Sequence, residues 1–237
     1  MQKLTSLLCD IRKYAVLHKG IFPHTKLLAS RKGMNSSHKP IFSIIICVLT
    51  IAISLFVAFQ ISGSLFGKSR IIYLADYGGL TIDGLKNFEF WRLITSQFIH
   101  VHQKHMLYNV LSIAFLCALI ERNIGFWYVF SIWLVAGSLG TFFTTQFGSA
   151  PWNTGTGASQ AALGFAGFGL LLYLFRLKRD YLLLFCVLFS ILPAMYLDLR
   201  TAGYPKPGHT LSFAIGALMA LYFLFGQSSK DQKDERS

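Results

Sequence analysis

The sequence predicts an all-α membrane protein of six transmembrane helices, and three observations lead there. Of 237 residues, 54% are hydrophobic and only 14% charged, against roughly 25% charged in a soluble domain. No Asp, Glu, Lys or Arg occurs between Pro40 and Gly67, between Asn123 and Phe175, or between Pro207 and Ser229. About 20 helical residues cross the roughly 30 Å hydrocarbon core, so the middle gap is too long for one crossing and holds a hairpin.

Residues 1–40 read as a basic cytoplasmic tail with Asp10 as its one acid. The tail lacks the early apolar segment and cleavage site of a secretory signal, while its composition would also suit a mitochondrial transit peptide. A six-helix domain then occupies residues 41–226. Its first span runs from Ile41 to Gly63, and the mixed stretch from Ser64 to Lys104, rich in aromatic residues, reads as an ordered loop lying partly in the membrane. The second span opens near His105 and closes before Glu121. Gly, Pro and Asn between Gly148 and Gly157 divide the long uncharged stretch into a third span, Phe126 to Phe147, and a fourth, Ala158 to Phe175. Tyr181 to Leu197 makes the fifth and His209 to Phe225 the sixth, followed by a polar tail, 227–237, expected to be disordered.

The net charge of +12 does not point to nucleic acid, because eight of the basic residues precede the first apolar run. With the N-terminus assigned to the cytoplasm, 15 of the 22 Lys and Arg lie on the inner side, as the positive-inside rule requires. Cys9, Cys47, Cys117 and Cys186 are isolated and read as small apolar filler.

This topology starts spans two, four and six at the outer face. Their first turns carry His105 and Asn109, Ser159, and His209, and polar side chains inside spans are functional candidates by default. Ala158, Ala162 and Ala166 recur every four residues on span four, as do Ser212, Gly216 and Ala220 on span six. Small residues at that interval allow close helix packing. Ser159 could then reach His209 at the roughly 2.6–3.2 Å that base-assisted attack needs. Heading a helix after Gly155 and Gly157, Ser159 also lies where free backbone N–H groups stabilise an oxyanion. His105 and Asn109, one turn apart, share a face and can donate further hydrogen bonds. Such a set performs acyl transfer to water, here peptide-bond hydrolysis within the membrane. His100 and His102 read as ordinary loop residues at the interface.

The sequence resembles the rhomboid family of intramembrane serine proteases from about Ile41 to Phe225. The matching residues are Trp91-Arg92, His105-Met-Leu-Tyr-Asn109, Glu121-Arg-Asn-Ile-Gly125, Gly157-Ala-Ser159 with Gly164, and His209 with Gly216. The resemblance implies a Ser159–His209 dyad without a third acid, an oxyanion hole from Asn109, His105 and the Ser159 N–H, and a structural role for Trp91 and Arg92. It also implies single-pass transmembrane protein substrates cleaved near the outer face, with no metal, nucleotide or other cofactor. Gln160 stands where the family usually has glycine, and Ser212 replaces another glycine. A multi-pass protein of the bacterial inner membrane is the expected setting. A catalytically inactive rhomboid-like scaffold that binds membrane clients is the alternative, and a transporter is disfavoured because the expected spans hold no acid and no repeat.

Overall fold

The computed structural model describes residues 38–150, 153–175, 180–200 and 207–234. Most of the basic tail, the Arg176/Lys178/Arg179 cluster and residues 201–206 lie outside them.

Among the described residues the chain is helical, with one isolated β-bridge. Helix α1 is Ile41–Ser62. Its first N–H groups have no partner within the helix, and Pro40 provides no side-chain cap. The Glu121 carboxylate fills that role from another span, accepting Phe42 N at 2.8 Å, Ser43 N at 2.9 Å and Ser43 Oγ at 2.6 Å. Short helices α2 (Ile71–Leu74), α3 (Ile82–Lys86) and α4 (Arg92–Thr95), with a 3₁₀ turn at Ser96–Phe98, order the loop that follows.

Helix α5, Gln103–Ile124, contains a π-helical stretch at Ile113–Cys117. It is longer than the expected second span, because Glu121 is satisfied internally and does not force the helix out of the apolar region. Gly125, at φ 89°, forms the single-residue corner to α6, Phe126–Phe147, a backbone conformation glycine adopts without steric cost. Helix α7 is Ser159–Phe175, α8 is Tyr181–Arg200 and α9 is Pro207–Asp234. The backbone of α9 stays helical past 226, where the polar tail was expected to begin as a disordered segment.

Five of these helices are long and apolar enough to cross a membrane, and α7, with 17 residues, is the shorter sixth. Its buried residues run without a break from Ser159 to Gly169, which makes α7 the centre of the bundle, enclosed by α5, α6, α8 and α9. A helix apolar on every side belongs in such a place. The outer helices expose Ile44, Val48, Phe185 and Leu218, surface suited to lipid rather than water. The protein is an integral membrane protein.

Glycine sets the tightest packing. A Cβ on Gly216 would strike the backbone of Gly164, and one on Gly167 would strike the carbonyl of Phe213. The expected alanine stripe of span four instead joins the apolar core, with Ala158, Ala162 and Ala166 buried there. In α8, Pro193 has no N–H to offer the carbonyl of Phe189 one turn back. The Tyr108 hydroxyl of α5 occupies that gap, 2.5 Å from Phe189 O and 2.7 Å from Ser190 O.

Candidate active site

The site begins with the loop that delivers Ser159. The Arg92 guanidinium bonds to the carbonyls of Ala75 and Gly79 at 2.5 and 2.9 Å, and its Nε to Glu89 at 2.6 Å. These bonds hold the 75–80 turn, whose Leu80 pairs through both backbone groups with Gly155. Gly157 N then donates to Ser96 O at 2.8 Å, with Gly157 at φ 95°. The first loop therefore grips the α6–α7 connection at two points just before Ser159. Trp91 is half exposed, with the Arg92 guanidinium 4.6 Å from its ring centre; neither residue is at the serine.

Ser159 and His209, both buried, meet at the N-terminal ends of α7 and α9, with Ser159 Oγ 2.9 Å from His209 Nε2. The close glycine contacts between these helices permit that approach. Ser212, one turn beyond His209, bonds to Ala136 O and Gly208 O at 2.9 and 2.8 Å, tying α9 to α6. The Gln160 side chain folds back against the nucleophile. Its Oε1 accepts from Ser159 Oγ at 3.0 Å, and its Nε2 donates to Thr144 Oγ1 at 3.4 Å. The serine has one proton and two acceptors for it, His209 and Gln160.

Asn109 is fully buried, and its Nδ2 lies 3.1 Å from His100 Nε2. The same His100 nitrogen accepts Ala158 N at 3.2 Å, and His100 Nδ1 lies 3.4 Å from Ser54 Oγ on α1. Asn109 is thus linked through His100 to the residue before Ser159. One amide hydrogen of Asn109 suffices for His100 and leaves the other for a further acceptor. His105 is half-buried, its ring edge-on to His100 with centres 6.0 Å apart.

Two features of the site were missed in the sequence. His100 is not an interfacial loop residue but a buried connector among α1, α5 and the serine loop; its place five residues before His105 was the available signal. Asp198 is buried and sits 2.6 Å from His209 Nδ1 through Oδ2. The resemblance implied no third acid, and the fifth span had been expected to stop one residue short of Asp198. Together with Glu121, Asp198 also shows that the helices do carry acids. Among the described residues no group of three or more His, Cys, Asp or Glu is placed to hold a metal ion.

Burial pushes the His100 imidazole down from 6.5 to about 3, helped by the charge of His105 and partly opposed by a backbone hydrogen bond at Phe98. Folded His100 therefore refuses a proton that the unfolded chain accepts below pH 6.5. Its contribution to stability is unaffected above pH 6.5 and is lost as pH falls toward 3, by roughly 1 kcal/mol per pH unit. Thermal midpoints in detergent should drop between pH 7 and pH 4.5, and drop less in His100→Asn. Equal slopes for the two proteins would contradict this account.

Residues 87–226, more than half of the chain, match the family model described as the rhomboid domain. The chain is also similar to the Bacillus subtilis (strain 168) protein named "Putative rhomboid protease YdcA", at 30% identity over 132 residues. That alignment covers 54% of this chain and 64% of the relative, so the chain spans less than two thirds of the relative's length. The matched region includes Ser159, His209, Asn109 and Asp198, and with the family model covering more than half of the chain, the protein belongs to the rhomboid family.

Proposed function

We propose that the protein is an intramembrane serine endopeptidase that hydrolyses transmembrane protein substrates near the outer membrane face. The observation that carries this reading is the 2.9 Å contact between Ser159 Oγ and His209 Nε2. Ser159 Oγ attacks the scissile carbonyl while His209 Nε2 takes its proton, and the same nitrogen returns that proton to the leaving amine. Water then cleaves the acyl-enzyme by the reverse use of the same base. The Ser159 N–H in the first turn of α7, the second Asn109 hydrogen and His105 serve the developing oxyanion. Trp91 and Arg92 brace the loop, Gly157 gives it its turn, and Gly164 and Gly216 bring the two catalytic helices together.

At about 1.5 Å per residue, the 17 residues of α7 reach about 26 Å, short of the roughly 30 Å apolar core. That length supports a serine recessed below the surface, where a substrate helix can unwind into the site. Single-pass substrates, a cytoplasmic N-terminus and the bacterial inner membrane complete the proposal, in line with the distribution of Lys and Arg.

A second reading, a non-cleaving scaffold that binds membrane clients, is favoured by the Gln160 carbonyl that competes for the serine proton. A fluorophosphonate probe separates the two. The protease reading expects labelling of the wild-type chain that disappears in Ser159→Ala, while the scaffold reading expects no labelling and client binding that survives Ser159→Ala.

A further inference from the structure

We propose that Asp198 is a positioning residue that fixes His209 in the one tautomer able to accept the Ser159 proton. The inference rests on the protease reading and adds a third member to the catalytic set. Asp198, His209 and Ser159 form a buried line, with Oδ2 to Nδ1 at 2.6 Å and Nε2 to Oγ at 2.9 Å. Both ring nitrogens are therefore engaged, by groups of different kinds.

A carboxylate can only accept. Its bond to Nδ1 requires the proton there and leaves the lone pair of Nε2 directed at the serine. The opposite tautomer would present an N–H to Ser159 and stop the reaction. During attack the Oγ–C bond forms, the carbonyl electron pair moves to oxygen, and the serine proton passes to Nε2. The resulting imidazolium lies against the Asp198 charge. That proton then goes to the leaving nitrogen as the C–N bond breaks, and no proton needs to pass to Asp198.

Helices α6 and α7, which pack against α9, offer no substitute. Neither carries an Asp, Glu, Lys or Arg. Arg200, two residues beyond Asp198, has its guanidinium 5.2 Å from the centre of the Tyr196 ring, one turn back. The position of Asp198 in the last turn of α8, 11 residues before His209, places it at the depth of the dyad.

Asparagine at 198 retains size and hydrogen bonding but, by offering an N–H as readily as a carbonyl, no longer selects the tautomer. In the full-length protein in detergent, acting on a fluorogenic transmembrane peptide, Asp198→Asn should lower kcat by about 100-fold or more. Asp198→Glu should remain at least about tenfold faster than Asp198→Asn, because the charge is kept. The same protein with 15N-labelled histidine, its seven residues resolved by subtracting the His209→Gln spectrum, should show His209 protonated at Nδ1 in the wild type and shifted toward Nε2 in Asp198→Asn. Asp198→Asn kinetics within threefold of wild type, or a wild-type His209 protonated at Nε2, would overturn the proposal. If Asp198→Asn does not fold, the wild-type tautomer decides alone. If the wild type neither cleaves nor is labelled at Ser159, the protease reading falls, while the tautomer still tests the Asp198–His209 pairing.

Discussion

The double variant Ser159→Ala/His209→Ala is expected to cleave a transmembrane substrate no more slowly than either single variant. Each single change should cost at least about a thousandfold in kcat, the scale seen when a nucleophile or its base is removed from a serine hydrolase. The reason is geometric. Ser159 Oγ is 2.9 Å from His209 Nε2, so the alcohol depends on that nitrogen to take its proton, and the later steps of that nitrogen, protonating the leaving amine and activating water, act only on intermediates that Ser159 has formed. Removing the second partner takes away nothing that the first removal left in use. What remains in all three variants is substrate binding and the oxyanion donors, so their residual rates should agree within a few fold. Multiplicative losses in the double variant would mean that the two residues contribute separately, which this geometry does not allow. Gel-based cleavage with excess enzyme and long incubation measures the comparison.

The second large effect concerns folding. Gly216→Val should prevent assembly of the bundle, because a Cβ at 216 falls on the carbonyl, carbon and Cα of Gly164. Backbone cannot step aside as a flexible side chain can, and even ordinary overpacking of a tight core costs about 1–3 kcal/mol. Helices α7 and α9 would have to separate, taking Ser159 from His209. Gly216→Ala tests the same contact with a single methyl group and should lower the thermal midpoint markedly. Leu218→Ala, on the exposed side of the same helix, should leave it nearly unchanged. Similar midpoints for Gly216→Ala and Leu218→Ala would show that α7 and α9 are less tightly fitted than described.

The spans were legible because charge is excluded from lipid-facing helix over long runs. The expected third span, Phe126 to Phe147, coincides with α6. Reading charge as a boundary fails where the charge has a partner: Asp198 and Glu121 were each taken as ends, yet both lie inside helices and are buried by hydrogen bonds from elsewhere. The meeting of Ser159 and His209 could be anticipated from shared depth and small residues. Which small residues make the contact could not, since α7 carries both the alanine series, every four residues, and Gly164 and Gly167, three apart. His100 shows a further limit. Its partners Ser54, Asn109 and Ala158 stand 46, 9 and 58 positions away, and it lies outside a helix, so no periodicity marks it.

The carboxylate of Glu121 also bears on where this protein can be cut. Sequence similarity to the rhomboid domain begins at residue 87, yet the buried acid at position 121 is satisfied by Phe42 and Ser43, far upstream of that limit. A fragment trimmed to the region of similarity would keep an ionisable group in the apolar interior and discard every donor assigned to it. The border of kinship and the border of the folding unit are therefore different places in this chain, and the smallest autonomous piece must include the first helix.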